Sequence, residues 1–307
     1  MVINLIEINY CQIRKNLDKL NRDYYLVLKS NAYGFGIVKI LKTALELGFY
    51  KFAVINLDEA IKIRKMTNKA VILLMGVFDK RKLKLYEKYQ IRITINDIDE
   101  LKIIRNYKVD AEIKVNVGMN RFGVMPDDLK DIKLTNQIKG IYGHISRDIT
   151  KESTCLKSKM PKGINYHLGS SKQLGLLNNC MRIGVAIYED ALEVYAKIIK
   201  VNYVKKGEYV GYDFAYQMPF DGYIGVLDIG YADGLVRECN GFKVWMKDNY
   251  FQLVGNACMN HSFVLLDNDN CLNNFVEIIG RHNQNYHYCR FFNKIKHQIY
   301  LEFLKKY

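Results

Sequence analysis

The sequence predicts an α/β protein: a parallel (β/α)8 barrel of TIM type over residues 10–200, followed by a smaller, mostly β C-terminal domain over 201–307. Three observations carry this expectation. From Tyr24 to Tyr188, short apolar runs alternate with amphipathic stretches, the pattern of buried parallel strands alternating with helices. Beyond Lys200 the style changes, and turns at Lys205-Lys206-Gly207, Asp221-Gly222 and Asn240-Gly241 separate runs rich in Val, Ile and Tyr, which reads as β structure. The 307 residues, 49% of them apolar, suffice for one large barrel and a small partner domain.

Taken in order, the expected barrel strands are Tyr25–Leu28, Lys51–Ile55, Val71–Leu74, Ile91–Ile95, Glu112–Val117, Gly140–His144, Ile164–His167 and Val185–Tyr188. Each is a short apolar run bounded by turn or polar residues. The stretches between them carry helical spacing, clearest in Ile37, Ile40, Leu41 and Ala44. A barrel of this kind places its active site at the C-terminal ends of its strands. Lys29, Lys114, His144 and Arg182 all fall within or close to the expected strands, and Lys29 and His144 sit at their ends. The last stretch, Tyr288–Tyr307, is basic and apolar without clear period, and the pattern assigns it no element.

Bulk properties narrow the function classes. No run of eighteen apolar residues occurs, so no membrane helix is expected. The N-terminus, MVINLIEINY, lacks the basic, apolar and small-residue regions of a secretion signal. The seven cysteines are scattered and show no CxxC spacing, as expected of free thiols in a reducing cytoplasm. The net charge of +14 is spread along the chain with no single dense tract. It therefore reads as composition more than as a nucleic-acid surface, and it favours anionic ligands through long-range attraction.

Lys29 stands out from its own surroundings. It ends the apolar run Tyr24–Leu28 and is followed at once by Ser30-Asn31-Ala32-Tyr33-Gly34. A lysine at the end of a buried strand can have its amine desolvated and made nucleophilic. It can equally be an edge lysine whose head reaches water along an apolar stem. The run alone leaves both readings open.

The longer pattern is more specific. Lys29-Ser30-Asn31-Ala32-Tyr33-Gly34-Phe35-Gly36 resembles the cofactor-lysine motif of alanine racemases, which usually reads Lys-Ala-Asn-Ala-Tyr-Gly-His-Gly. Lys114–Gly123 (Lys-Val-Asn-Val-Gly-Met-Asn-Arg-Phe-Gly), Gly143-His144, Arg182–Tyr188, Ile229–Gly234 and Gly255–Met259 resemble the family's successive signatures, in its order. One short motif is weak evidence, whereas the ordered series from about Ile3 to about Gly280 is specific.

The resemblance implies a pyridoxal 5′-phosphate (PLP) enzyme that interconverts L- and D-alanine by a two-base mechanism, supplying D-alanine for the peptidoglycan cell wall. Lys29 matches the lysine that bonds the cofactor and serves as one base, and Tyr231 matches the second base. A phenol titrates near 10 when unperturbed, so a working Tyr231 needs cationic or hydrogen-bonding neighbours, for which His144 and Arg121 are the candidates. In the family this tyrosine comes from a second subunit, which implies a homodimer with composite sites. Arg182 matches the arginine facing the pyridine nitrogen. Since arginine only donates, that nitrogen stays unprotonated and the ring is a weaker electron sink. Tyr33, Ser171, Gly184 and Val185 match the phosphate contacts, and the resemblance places His144 among the cofactor-binding residues as well. Arg121 and Met259 match contacts to the substrate carboxylate, and Lys114 matches a lysine that is carbamylated in many members. No metal is implied. The family also implies that residues 1–9 join the β domain.

Four departures accompany the match. The segment between His144 and His167 is short, so one barrel helix is expected to be missing or replaced by the irregular Lys151–Gly163. The family's Ala-Asn-Ser reads Gly169-Ser170-Ser171. Its Cys-Met-Asp reads Cys258-Met259-Asn260, and a later acidic position reads Leu265. A C-terminal Tyr-Glu segment, normally a further phosphate ligand, is echoed only by Tyr300-Leu301-Glu302. The rival readings are a racemase for serine or a basic amino acid, and a PLP-binding or regulatory protein that has kept the barrel and lost turnover. A nucleic-acid role is suggested by charge alone.

Overall fold

A computed structural model describes residues 5–145, 159–161, 163–174 and 180–306. The expected loss or replacement of a barrel helix over 151–163 falls largely outside these residues. Two compact units are present: residues 16–187, and residues 5–15 together with 188–306. The elements are β1 (Leu5–Ile8), α1 (Tyr10–Asp18), β2 (Tyr25–Val27), α2 (Ile37–Glu46), β3 (Lys51–Val54), α3 (Leu57–Met66), β4 (Val71–Leu74), α4 (Leu83–Lys88), β5 (Arg92–Ile95), α5 (Ile98–Ile104), β6 (Ala111–Val115), β7 (Ile138–Gly143), β8 (Tyr166–His167) and β9 (Arg182–Ile183).

Strands β2 to β9 form one parallel sheet in the order β8-β7-β6-β5-β4-β3-β2-β9. A single parallel bridge from His167 to Cys180 brings its two edges together, giving a nearly closed eight-stranded barrel as the alternation predicts. Local chemistry explains the elements. In β4, Ile72, Leu73 and Leu74 are buried, as they must be in a strand covered on both faces. Helix α2 buries Ile37, Ile40, Leu41 and Ala44 on one stripe. Helix α3 begins at Asn56, whose side chain accepts the Glu59 N–H at 2.9 Å. Asp58 and Glu59 lie in its first turn and Arg64 and Lys65 in its last, matching the helix dipole.

All five residues of β6 are buried, Glu112 and Lys114 among them. Side chains alternate along a strand, so Glu112 and Lys114 share one face while Ala111, Ile113 and Val115 share the other. One expected strand is corrected. Val185–Tyr188 is a 3-10 turn, and the barrel strand lies just before it at β9. The reason is local: the Ser171 hydroxyl collects the N–H groups of Gly184 and Ala186, at 3.1 and 3.2 Å, and Ile187 N–H donates to the Gly184 carbonyl. These bonds turn the backbone away from the extended form that a ladder needs.

The second unit is an antiparallel sheet in the order β15-β14-β17-β10-β13-β16. Its strands are β10 (Leu192–Val204), β13 (Gly222–Leu227), β14 (Lys243–Met246), β15 (Asn249–Gln252), β16 (Ser262–Leu266) and β17 (Phe275–Ile279), with a small separate pair β11 (Tyr209–Val210) and β12 (Tyr216–Gln217). The thirteen-residue β10 buries Leu192, Val194, Ala196 and Ile198 on alternate positions, and β1 pairs antiparallel with its first half. Residues left without an element by the sequence form α6 (Asn285–Phe291) and α7 (Lys296–Phe303). Helix α7 buries Ile299, Tyr300 and Phe303 on one stripe, and aromatic contacts add to it. Tyr288 packs edge-on against Phe242 and Phe303, and its hydroxyl accepts the Val236 N–H at 3.0 Å.

Candidate active site

At the C-terminal end of β2 the chain enters a left-handed turn. Ser30, Asn31, Ala32 and Tyr33 all have φ between +52° and +57°. Each such non-glycine residue costs about 1–2 kcal/mol relative to the right-handed form, so the turn must be held from outside. Glu59, 7% exposed, does part of this: one carboxylate oxygen accepts Asn31 N–H at 3.1 Å and the other accepts Ile55 N–H at 3.2 Å. The Asn31 side chain accepts Ile37 N–H at 3.0 Å, which ties the turn to the start of α2. The turn presents Lys29 and Tyr33 together, with the Lys29 ammonium 5.8 Å from the centre of the Tyr33 ring.

Tyr33 is buried, and burial pushes its phenol up to about 12, so it remains a hydroxyl at neutral pH. Its oxygen lies against Gly184, where a Cβ would stand 2.3 Å from it. Only glycine allows this approach. Tyr33, Ser171 and the Gly184 backbone thus form a small cradle of hydroxyl and N–H groups. Val185, the remaining expected phosphate contact, follows Gly184 in the 3-10 turn.

Arg182 is 4% exposed and firmly held. Its guanidinium donates to the carbonyls of His167 at 3.0 Å and Gly143 at 2.5 Å, contacts His167 Nδ1 at 2.7 Å, and lies 4.7 Å over the Tyr142 ring. Lys114 approaches the Phe122 ring at 5.1 Å. Arg121 is carried on the loop after β6, which is shaped by the Asn116 side chain accepting N–H groups of Gly118 and Asn120 and by the paired bonds between Val124 and Lys114 and between Asn116 and Val124.

Lys29, Lys114, Arg121, His144 and Arg182 form one electrostatic cluster. Burial, then Arg121, lowers Lys29, with Glu59 opposing. Burial, then Arg121 and Arg182, lowers Lys114 to about 8. Burial, then Arg182, Arg121, Lys114 and Lys29, lowers His144 to about 4. His144 is therefore neutral at physiological pH. Among the described residues none of the four cations of this cluster forms an ion pair with a carboxylate, so the cluster is poised for anions supplied from outside.

The remaining expected residues sit in the other unit. Tyr231, 43% exposed, opens a short 3-10 turn. Its N–H donates to the Cys258 carbonyl and the N–H of Ala232 to the Met259 carbonyl, so Tyr231 and Met259 are held side by side. Gly230 makes this possible, because a Cβ there would lie 2.4 Å from both carbonyl oxygens. Tyr300 is fully buried and donates its hydroxyl to the Tyr188 carbonyl at 3.0 Å. The structure therefore gives its phenol a role inside the β unit. Sequence reasoning missed Glu59, Glu112 and His167. The available signal was charged or polar residues within segments otherwise buried.

A wide cleft of about 540 Å³ opens elsewhere, between the ends of α2 and α3, lined by Tyr50, Arg64 and Thr67. Arg64 donates there to five backbone carbonyls, which makes it a structural tie.

A parallel barrel whose strand ends gather a half-buried lysine, cations with no carboxylate partner among the described residues and a hydroxyl-lined cradle, in a chain with a separate β unit, defines a barrel-type protein whose mouth suits an anion. The cradle and the cation cluster fit a phosphorylated aldehyde such as PLP, in both charge and donor set. Comparison with known proteins places the chain more narrowly. Residues 3–191 match the N-terminal domain of alanine racemases and residues 191–306 the C-terminal domain: the chain belongs to the alanine racemase family.

Similar proteins include the alanine racemase of Listeria monocytogenes serotype 4a, 28% identical over 91% of this chain and 89% of that protein. Another is that of Streptococcus equi subsp. equi, 27% identical over 88% of this chain and 86% of that one. Among solved structures, an alanine racemase from Bartonella henselae with covalently bound pyridoxal phosphate matches with a TM-score of 0.90 at 22% identity, covering 99% of this chain and 98% of that one. A histidine racemase from Leuconostoc mesenteroides subsp. sake matches with a TM-score of 0.81 at 19% identity, covering 98% of this chain and 95% of that one. No helix among the described residues is long and apolar enough to cross a membrane.

Proposed function

We propose that this chain is a PLP-dependent amino-acid racemase acting on alanine, interconverting its L and D forms and supplying D-alanine for peptidoglycan. The observation that carries the reading is the cluster at the barrel mouth. Lys29 is half-buried, and burial and then Arg121 lower its basicity against Glu59, which is what a lysine forming a covalent bond to an aldehyde needs. It stands among cations suited to a phosphate and a carboxylate.

PLP bonded to Lys29 would supply the electron sink that makes the substrate α-proton removable. The chain's own residues do the rest. Tyr33, Ser171 and the backbone at Gly184 and Val185 would hold the phosphate, glycine at 184 letting the backbone approach it. Arg182 would donate to the pyridine nitrogen and so leave it unprotonated. Arg121 and the Met259 backbone orient the substrate carboxylate. The Lys29 amine moves a proton on one face of the α-carbon, and the Tyr231 hydroxyl moves one on the other. His144, neutral at working pH, offers a hydrogen bond without adding a charge. Lys114, lowered to about 8, keeps a reactive neutral fraction near neutral pH, as carbamylation by dissolved carbon dioxide requires. We assign a homodimer in which each protomer lends Tyr231 to its partner's site. The exposure of Tyr231, Met259 and nearby Tyr212 and Phe214 supports this. The six described cysteines are free, in keeping with a cytoplasmic enzyme.

The test is racemisation of a panel of amino acids that includes alanine, serine, histidine and lysine. Alanine is expected to turn over fastest. The histidine racemase shows that the same fold serves another side chain, so a preference for serine or a basic amino acid would move the substrate and keep the chemistry. Borohydride should fix PLP to the protein, and Lys29→Ala should abolish the fixation. Persistent labelling in that variant would place the bond elsewhere. Cofactor fixation without turnover of any amino acid would favour a binding protein.

A further inference from the structure

Below Arg182 the barrel interior holds a line of buried polar side chains that the proposed reaction does not use. Glu112, on β6, is 1% exposed. One of its carboxylate oxygens accepts from the Tyr25 hydroxyl at 2.8 Å and from Arg92 at 2.6 Å, and the other is in a short hydrogen bond with His167 Nε2. His167 is stacked between Tyr25 and Tyr142, with ring centres 4.9 and 5.1 Å away. Its other nitrogen, Nδ1, contacts the Arg182 guanidinium at 2.7 Å.

Donor chemistry allows one arrangement of protons. A guanidinium only donates, so His167 Nδ1 must accept. The imidazole proton is then on Nε2, and it is donated to Glu112. The carboxylate, fixed on its far side by Arg92 and Tyr25, accepts everything it meets. The charges agree. Burial alone would push the Glu112 carboxyl up, but His167 and Arg92 outweigh burial and hold it below the usual carboxylate range. Burial lowers His167, and Arg182 and Arg92 add to that against the pull of Glu112, leaving the ring neutral.

We infer that Glu112 is a positioning residue for Arg182: by accepting the His167 Nε2 proton it fixes the tautomer whose Nδ1 holds the guanidinium toward the cofactor. This rests on the reading that Arg182 faces the cofactor ring.

Glu112→Gln makes a sharp test. Arg92 can only donate, so it keeps the amide oxygen on its own side. The amide nitrogen then faces His167 Nε2 and donates to it. The imidazole proton moves to Nδ1, where it opposes an Arg182 N–H. Adding Arg92→Met frees the amide to turn, so that its nitrogen donates to the Tyr25 hydroxyl and its oxygen again accepts from Nε2. A merely structural role for Glu112 gives no reason for this second change to restore anything.

The experiment uses the full chain labelled with 15N-histidine, first without and then with PLP, alongside a titration of PLP affinity. Wild-type His167 is expected as the Nε2–H tautomer. Glu112→Gln should convert it to Nδ1–H and raise the PLP dissociation constant about tenfold, equivalent to roughly 1.4 kcal/mol. The double variant should restore both readouts. A wild-type His167 carrying its proton on Nδ1, or on both nitrogens, overturns the inference with no variant needed. So does a tautomer switch in Glu112→Gln that leaves PLP affinity unchanged, or a double variant no better than the single. Arg182→Lys separates the two levels. If it binds PLP as tightly as wild type and with the same spectrum, the ring-facing reading of Arg182 falls and takes the inference with it. If it weakens PLP and Glu112→Gln does not, only the inference falls.

Discussion

The barrel mouth and the turn that carries Tyr231 are both held tightly, but by different means. At the mouth, side chains do the holding. Glu59 accepts Asn31 N–H from the left-handed turn and Ile55 N–H from the end of β3, tying the two together, and Arg182 is fixed by two carbonyls, an imidazole and an aromatic face. In the β unit the backbone does it. Tyr231 and Ala232 donate to the carbonyls of Cys258 and Met259, and Gly230 brings the two segments into contact because it has no side chain. Side chains at the mouth can be retuned one at a time, and on the proposed reading the loss of those that face the cofactor, Arg182 among them, is expected to show first in cofactor binding. A backbone-to-backbone contact has no intermediate setting, and on the proposed reading its loss is expected to show in catalysis.

The largest effect expected from this contrast is at Gly230. A methyl group there must displace the Cys258–Met259 segment, since its two nearest neighbours are backbone oxygens at 2.4 Å. A displacement of about 1 Å in a catalytic group can cost about a hundredfold in rate. Gly230→Ala should therefore lower racemisation about a hundredfold while PLP affinity stays within about twofold, as read by a coupled D-amino-acid assay and a PLP titration. Loss of both together would break the comparison, because the β-unit turn would then be part of cofactor binding.

Gly184→Ala is the counterpart in the barrel. The added Cβ would meet the buried Tyr33 hydroxyl at 2.3 Å, and overpacking of this kind typically costs about 1–3 kcal/mol. PLP should bind about tenfold more weakly or worse. A Gly184→Ala protein with normal PLP affinity would remove Tyr33 and Gly184 from the phosphate cradle.

Glu59→Ala should act on stability more than on affinity. It removes the acceptor of the Asn31 and Ile55 N–H groups; both residues are exposed, so water replaces part of it, and a loss near the net worth of ordinary hydrogen bonds, about 0.5–1.5 kcal/mol, is expected. Chemical denaturation should show a loss in that range. Glu59→Gln should lose less, because the amide oxygen still accepts from one of the two groups. Equal losses for the two variants would mean that the charge, and not the hydrogen bonds, holds the turn.

How much of this was legible in the sequence follows from the range over which each feature is determined. Strands β2 to β6 show as apolar runs, because a strand covered on both faces needs little beyond its own residues. Lys29 and Arg182 were found through motifs contiguous in the chain. Val185–Tyr188 was misread as a strand because four apolar residues have no period to distinguish strand from turn. The deciding contact, the Ser171 hydroxyl, lies thirteen or more residues away. The left-handed turn was invisible, since Ser30, Ala32 and Tyr33 individually disfavour positive φ and only the surrounding bonds impose it. The relay from Glu112 to His167 spans 55 residues, and no local pattern reports it. Helices α6 and α7 were missed because exposed apolar residues, Phe291, Ile295 and Leu301, blur the period of their buried side.

The smallest effect separates Lys114 from its neighbours by pH. Burial, Arg121 and Arg182 lower its ammonium from 10.5 to about 8. Between those values the unfolded chain holds a proton that the folded chain has released, so stability rises with pH across this window. Below pH 8 the folded protein carries the full penalty of a charged amine among cations, and from about pH 8 to 10.5 the penalty is progressively removed. In Lys114→Met that contribution is absent. The difference in unfolding free energy, wild type minus Lys114→Met, should therefore shift in favour of wild type as pH rises from 8 toward 10. Bicarbonate should produce the same shift at lower pH if the amine is carbamylated, because the product replaces a positive charge between Arg121 and Arg182 with a negative one. A carbamate carbon signal from 13C-bicarbonate, present in wild type and absent in Lys114→Met, would identify the modified residue. A difference flat across pH, with no such signal, would mean that Lys114 keeps its proton and that the cluster relies on its ligands alone for compensation.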